Sequence, residues 1–588
     1  MLLMCACLAG CDLLDELLGL SGSTQNAPKL PTPEVEISFD GLAVWSEDEN
    51  ALYYIYVIDD GNEKATAELS VQLEENQTIK VKTISGTTEY SDSDFSAPKT
   101  YVKGQEQEQG HSHTDINSDG FCDKCRESVM VELSFYAVND LHGKFMDTDN
   151  QPGVDEFTTY LKNLYADTTR EEILLSSGDM WQGTVESSSN KGQLMTDWMN
   201  EVGFVSMTLG NHEYDWGPAT LTPNSQQADF PFLAINVTYN GRAVDYCRAS
   251  TVVERGGMKI GIIGAIGNCL SSISGEFSNG LSFATGSALT TLVKNEATRL
   301  RSVEGCDFIV YSIHDGGEDF STSGIEHVTN SQMTWYDSSL SDGYVDLVFE
   351  AHTHQRYILQ DEYGVYHMQG GGENSYISSA EVSFNYVTKK YSVTPRLIGS
   401  YEYASSSIEG DSVVGEIFEK YFPDSNPYTN IVGNISSEKS SYTICEKIAE
   451  LYYERGRQEW GGQYNIVLGG GYLKTRSPYD LSAGSVTYAQ LFSVLPFDND
   501  IILGKISGYY LKSKFLNTTN RTYHYYAPTI DASSVSDSQL YYIVVDSYTA
   551  FYGPNNITVV ARFGSVNPSN RGKYARDLLA DFLQGGGW

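Results

Sequence analysis

The chain has 588 residues, 40% of them hydrophobic, with 41 tyrosines, a formal net charge of -39 and a pI near 4.5. That length calls for several domains. The acidity argues against a nucleic acid polymer as partner and means that an anionic substrate needs locally placed cations; it also suits a soluble surface in an extracytoplasmic setting. Of the nine cysteines, Cys5, Cys7 and Cys11 fall in the first eleven residues, Cys122 and Cys125 form a C-x-x-C, and Cys247, Cys269, Cys306 and Cys445 are scattered. No disulfide framework is apparent, and the last four read as small buried hydrophobes.

Residues 1–11 are short and apolar and end Leu8-Ala9-Gly10-Cys11, which resembles a bacterial lipobox. The resemblance implies a lipoprotein signal peptide, lipidation at Cys11, and a chain held outside the cytoplasm by a lipid anchor in the bacterial cell membrane. The usual basic flank is missing, since the first lysine is Lys29. Residues 12–33 read as a linker, leucine-rich and then rich in Ser, Gly, Asn and Pro. Across 34–103, short strand-like runs (Leu42–Trp45, Leu52–Ile58, Ala67–Leu73, Thr78–Ile84) alternate with turn residues and predict a small β-sandwich. Trp45, the run Tyr53-Tyr54-Ile55-Tyr56 and the stretch Tyr90–Phe95 resemble a fibronectin type III domain, which implies spacing or adhesion through a surface ligand.

Residues 104–128 form a polar linker with two competing metal motifs. Asp115-x-Asn117-x-Asp119-Gly120 matches the first half of an EF-hand calcium loop, but the twelfth position is Arg126. His111 and His113, followed by Cys122 and Cys125, offer four zinc-type ligands at a spacing shorter than that of common fingers. From the sequence, calcium, zinc and a plain solvated linker stay open; a bound metal here would be a structural clip.

From 129 to 400 the pattern turns α/β. Helical periodicity runs through Leu194–Val202 and Leu289–Leu300, separated by strand runs such as Lys259–Ile266. Polar clusters follow five apolar runs. Asp140 and His142 follow Val131–Val138, Asp179 follows Ile173–Leu175, and Gly210-Asn211-His212-Glu213-Tyr214-Asp215 follows Phe204–Leu209. His314 follows Phe308–Ile313, and His352 and His354 follow Leu347–Phe349. Ligands gather at strand ends in layered α/β folds. A connector (401–428, helix at Val413–Tyr421) leads to a second α/β region, 429–588. There the pattern predicts a helix at Ile444–Glu454, a strand at Tyr464–Leu468, a turn at Gly469-Gly470-Gly471, an exposed aromatic loop Pro496–Asn499, a strand at Leu540–Val545 and a loop from Asp546 to Asn556. No apolar run approaches the ~20 residues that span a bilayer.

The ordered set D-x-H, G-D, G-N-H-E, His and H-x-H resembles the calcineurin-like metallophosphoesterases. With the second region it resembles the bacterial secreted 5′-nucleotidase family over about residues 131–588. The fold implied is multidomain: a small β-sandwich, a four-layer α/β metallophosphoesterase domain and an α/β 5′-nucleotidase C-terminal domain. The family implies two divalent ions (Mn, Zn, Co or Mg), with Asp140, His142 and His354 on one, Asn211, His314 and His352 on the other, and Asp179 bridging. It implies His212, oriented by Asp215, as the catalytic histidine, although Ala351 stands where the family has a glycine. For substrate, it implies a base between Phe497 and Tyr548, with Asn499 beside the first. The family's Asn and Arg are absent around Leu468 and Leu473, and Lys474 or Arg476 is expected to supply the cation. The nearest match to the upstream phosphate-binding arginines is Lys439. The expected activity is hydrolysis of extracellular nucleotides; the alternatives are cyclic nucleotides, sugar nucleotides or another phosphoester, or a surface adhesion protein with a vestigial phosphatase domain.

Overall fold

The computed structural model describes residues 27–588, apart from 38–40, 103–112, 126, 148–152, 167–168, 405–407, 425, 477–478, 518–522, 552–555 and 564–573. Cys11 and His111 therefore lie outside the described residues. The chain divides into two compact units, Met1–Val131 with Ser383–Ser392, and Glu132–Val382 with Val393–Trp588.

In the first unit, a three-stranded sheet (Val35–Ile37, Leu42–Trp45, Ser70–Gln72) and a four-stranded sheet (Lys64–Thr66, Ala51–Ile58, Thr78–Ser85, Lys99–Thr100) are both antiparallel. They enclose Trp45, Tyr54, Ile79 and Val81. Of the strand expected at Ala67–Leu73 only Ser70–Gln72 forms, in the three-stranded sheet, and a short strand just before it, Lys64–Thr66, joins the four-stranded one. The bend at Ala67-Glu68-Leu69 between them takes the chain from one sheet to the other.

The second unit carries two large sheets. One has six strands in the order Phe232–Leu233, Ser206–Thr208, Glu171–Ser176, Met130–Val138, Tyr376–Asn385, Tyr391–Gly399; its first four are parallel. The other has seven, with Met258–Ile266, Phe308–His314, Leu347–Phe349 and Tyr366–Gly370 parallel at its centre. Met258–Ile266, the first part of Phe308–His314 and Leu347–Phe349 are largely apolar because both faces are covered, while Tyr366–Gly370 buries His367 and Gln369 as well. Between the sheets, the rings of Phe135 and Phe308 stack at 5.7 Å, and the Ser312 hydroxyl lies 3.1 Å from that of Ser177 and accepts from Thr208 at 2.7 Å. Helices Asp155–Leu164 and Gln193–Val202 bury Phe157, Leu161, Trp198 and Met199 in the core over the first sheet. Helix Gly286–Arg299 does the same over the second with Val293 and Ala297.

A five-stranded mixed sheet follows: His524–Ala527, Ile466–Tyr472, Leu540–Asp546, Ile501–Ser507 and Thr558–Arg562. Helices Ser441–Trp460 and Ala575–Gln584 share its core. The triple glycine predicted as a turn lies inside Ile466–Tyr472. A Cβ on Gly469 would stand 2.2 Å from the Tyr453 amide nitrogen, and one on Gly470 would stand 2.1 Å from the Tyr525 carbonyl oxygen. Glycine is there for close approach of helix and neighbouring strand, and the strand continues through it. The predicted loop after Asp546 begins with a short helix, Ser547–Phe551, whose first turn is closed by the Asp546 carboxylate accepting from the Thr549 amide at 2.7 Å.

Candidate metal and substrate site

Because the central strands are parallel, their C-terminal ends fall along one edge, and the polar clusters fall with them. Asp140, His142, Asp179, Asn211 and His212 come from the first sheet; His314, His352 and His354 come from the second. Asp140, His142, Asp179, His352 and His354 all have positive φ, between 49° and 70°. Left-handed backbone is costly for a side chain and clusters at functional sites. Here it turns each donor back over the strand ends.

The donors form overlapping groups: Asp140, His142 and His354; Asp179, His314 and His352; and His142, Asp179 and His212. Within each group the ligand atoms lie within 4.8 Å of one another. The Nε2 atoms of His142 and His354 are 3.0 Å apart. The Nδ1 of His142 is 2.9 Å from the Gln182 carbonyl oxygen and that of His314 is 2.8 Å from the Ser177 carbonyl oxygen, so each ring donates there and aims its Nε2 inward. His314 Nε2 is 3.1 Å from Asp179 Oδ2 yet buried without hydrogen-bonding geometry, and Asn211 Oδ1 is buried without any partner. Buried N and O donors that face inward without a hydrogen-bond partner are what divalent cations take, so the residues present fit such ions. Gly210 keeps the floor of the site open, since a Cβ there would meet Asp179 Oδ1 at 2.2 Å.

In the ion-free site the Asp179 charge keeps a second proton on His314, which a bound ion would displace. Burial lowers the proton affinity of His314, but the Asp179 charge outweighs it and lifts the group to about 10. Asp179, which burial would raise, is held well below the usual carboxylate range by His314 and His212. His142 is pushed down by burial and by its imidazole neighbours. His212 is opposed by burial and raised to about 9 by Asp215 and Asp179 together; its Nδ1 lies 2.6 Å from Asp215 Oδ2.

Glu213, inside the hexapeptide but without an assigned role from sequence, organises the floor. Its Oε2 accepts the Asp179 amide at 2.9 Å and the Gly210 amide at 2.7 Å, and its Oε1 accepts the Met180 amide at 2.8 Å. Burial and the Asp179 charge push it up to about 7, and the three N–H groups pull the other way.

A cavity of about 660 Å³ opens on these donors. All five residues expected to hold substrate, Lys474, Arg476, Phe497, Asn499 and Tyr548, line it. Phe497 lies over His212, with ring centroids 6.2 Å apart and planes 23° apart, and the Arg476 guanidinium is 5.0 Å from the Phe497 centroid. The Tyr472 ring is 5.8 Å from that of Tyr548. The Pro496–Asn499 loop, expected to be exposed, is partly buried. Gln182 donates to the Pro496 carbonyl at 3.3 Å and Trp216 to Asp498 at 3.3 Å, while buried Arg576 pairs with Asp498 and donates to the Phe497 carbonyl at 3.0 Å. Arg576 sits in the last helix and carries no sequence signal for this role. Lys439 is not among the cavity's lining residues; its ammonium lies 5.4 Å over the Trp588 ring.

The chain has a multidomain α/β fold similar to that of solved two-domain 5′-nucleotidases. No protein-family model matches the chain. Among curated proteins, a snake venom 5′-nucleotidase of Gloydius brevicauda is 26% identical over 509 residues, covering 78% of this chain and 81% of that one. An apyrase of Tabanus yao is 26% identical over 432 residues, 65% of this chain and 72% of that one. The crystal structure of a 5′-nucleotidase precursor from Thermus thermophilus superposes with a TM-score of 0.53 at 17% identity, over 78% of this chain and 96% of that chain.

Proposed function

We propose that the chain is a metal-dependent phosphoester hydrolase acting outside the cytoplasm on nucleotides, with 5′-nucleotidase-like chemistry. One observation carries the reading: donors from five strand ends converge on a cavity that is also lined by Arg476, Phe497 and Tyr548. In this reading Asp140, His142 and His354 hold one divalent ion, Asn211, His314 and His352 hold a second, and Asp179 is shared. Such ions supply an activated water near neutral pH and neutralise phosphoryl charge.

The chain's own groups do the rest. With Nδ1 engaged by Asp215, protonated His212 presents its Nε2–H to the substrate, where it supports charge developing on a phosphoryl or leaving oxygen. Arg476, on the same cavity, supplies the local cation that an anionic substrate needs in so acidic a protein. Phe497 and Tyr548 offer ring faces to a base, and because every base has a π-face such stacking tolerates different bases. Leucines at 468 and 473 offer no hydrogen bonds of the kind that set steep discrimination, so base preference is loose. Retention of the whole donor set argues against a vestigial hydrolase. The lipid anchor at Cys11, and a fibronectin type III-like sandwich that spaces the enzyme or binds a surface ligand, belong to the same proposal.

The test is phosphate release by the purified chain, stripped with a chelator and reloaded with Mn, Zn, Co or Mg. The substrates are nucleoside 5′-phosphates, cyclic nucleotides, sugar nucleotides and an aryl phosphate. Metal-dependent release from 5′-nucleotides, lost in Asp179→Asn, is expected. A folded, metal-loaded chain that releases phosphate from none of these would overturn the reading.

A further inference from the structure

The polar segment ahead of the hydrolase holds a second group of metal-ligand side chains. His113, Cys122 and Cys125 each bring one ligand atom within 4.8 Å of the other two. Cys125 Sγ is 3.6 Å from His113 Nδ1 and 3.7 Å from Glu127 Oε2, and that carboxylate oxygen is 4.0 Å from His113 Nε2. Ligands about 2.0–2.3 Å from a tetrahedral zinc ion stand roughly 3.3–3.8 Å from each other, so the contact of Cys125 with His113 Nδ1 has the length of a ligand edge, while Glu127 faces the other ring nitrogen.

The backbone holds these residues in register. The Cys122 amide donates to the Glu127 carbonyl at 2.8 Å and closes the turn bearing both thiols. The Asp123 amide donates to the Thr114 carbonyl at 2.8 Å, and the Asp123 carboxylate accepts the Ile116 amide at 2.9 Å, tying the stretch that bears His113 to that turn. The Tyr386 ring stands edge-on to His113, with centroids 6.0 Å apart.

What holds the segment is not an apolar core. Among the described residues, 113–128 contain no helix and no strand beyond single bridges, and their large apolar side chains, Ile116 and Phe121, are 52% and 42% exposed. Its buried side chains are Cys122, at 0% exposure, and the carboxylates Asp115 and Asp123, which are bonded to backbone amides. Segments that bury so little apolar surface are ordinarily stapled by a disulfide or a metal. The competing calcium motif is accounted for without an ion. The Asp115 carboxylate accepts the Asp119 amide at 3.0 Å, the Gly120 amide at 3.1 Å and the Asn385 side-chain amide at 2.6 Å, and so closes its own loop onto the hairpin turn at 383–392.

We propose that His113, Cys122 and Cys125 form a structural zinc site, separate from the catalytic donors, that fastens this segment. Thiolate ligands select zinc over calcium and magnesium. The site therefore keeps zinc under conditions where a catalytic centre of oxygen and imidazole donors exchanges its ions.

The test uses the reduced full-length chain, stripped with a chelator and split into zinc-loaded, calcium-loaded and metal-free portions. Each is treated with iodoacetamide, and modified cysteines are mapped by peptide mass spectrometry. Zinc is expected to slow alkylation of Cys122 and Cys125 together by at least tenfold, and calcium to leave it unchanged. In parallel, cobalt(II) loading is expected to give a thiolate-to-metal charge-transfer band that Cys125→Ser removes and Asp179→Asn retains. Equal alkylation with and without zinc, a cobalt band that survives Cys125→Ser, or a native chain isolated with Cys122 and Cys125 joined as a disulfide would each overturn the proposal. The alkylation arm needs no variant and stands if Cys125→Ser does not fold.

Discussion

Replacing Glu213 tests whether the floor of the catalytic site is built by one buried carboxylate. Three amides, of Asp179, Met180 and Gly210, donate to its two oxygens at 2.7–2.9 Å. Hydrogen bonds to a charged acceptor contribute about 1.5–3 kcal/mol each, and a buried N–H left without one costs about 1–3 kcal/mol. Glu213→Gln can keep its oxygen on the Asp179 and Gly210 amides, which strands only the Met180 amide, so a loss of about 1–3 kcal/mol follows. Glu213→Ala strands all three and loses roughly 3–9 kcal/mol, against a total stability of about 5–15 kcal/mol for a typical domain. Asp179 and Asn211 flank the Gly210 and Asp179 amides, so the disturbance reaches the donors. The assays are denaturant unfolding and calorimetric titration of Mn(II) into the stripped protein at pH 8. The expected order is wild type, Gln, Ala in both stability and metal affinity. If both variants match wild type in both measurements, Glu213 does not organise the site and the reasoning fails.

His212→Ala should lower kcat by about 10²–10⁴-fold, the usual worth of a positioned acid or base, while bound metal measured by mass spectrometry stays at the wild-type level; loss of an ion would make His212 a ligand. Phe497→Ala should raise KM several-fold for nucleotides and spare an aryl phosphate if the ring only stacks on the base; a fall in kcat on both substrates would show that its stacking on His212 is what matters. Asp546, buried beside the cavity, has its carboxyl lifted from 3.8 to about 6 by burial against the pull of its bonds to Thr549. A raised carboxyl favours the protonated fold, so its cost is absent below pH 3.8, grows through the window up to about 6, and reaches about 3 kcal/mol above it. Asp546→Asn should therefore gain stability relative to wild type as pH rises from 4 to 7, and a difference in melting temperature that does not vary with pH would refute this.

The catalytic donors were legible in the sequence because a parallel strand buried on both faces must read as an apolar run, and its end must then announce itself by the first polar residues. Leu347–Phe349 followed by His352 and His354 is the plainest case, and the strand's bounds match the expectation. What stayed hidden is what the third dimension decides. Gly469-Gly470-Gly471 has the composition of a turn, and only the proximity of Tyr453 and Tyr525 makes it a strand. Arg576 reaches the Pro496–Asn499 loop across about eighty residues of sequence, and no periodicity marks such a reach. Glu213 was in plain view, but its partners are backbone amides, which every residue has and no motif records.

The division of donors between two sheets has a consequence for how the molecule is made. A chain whose sheets have not yet met owns only fragments of a binding site: Asp140, His142, Asp179 and Asn211 on one, three imidazoles on the other. Neither fragment can hold an ion as the assembled set would, so ions bind the finished architecture and stabilise it by mass action, while half-made copies gain nothing. Turnover thus reports that the two sheets have met, and a copy truncated between them is silent.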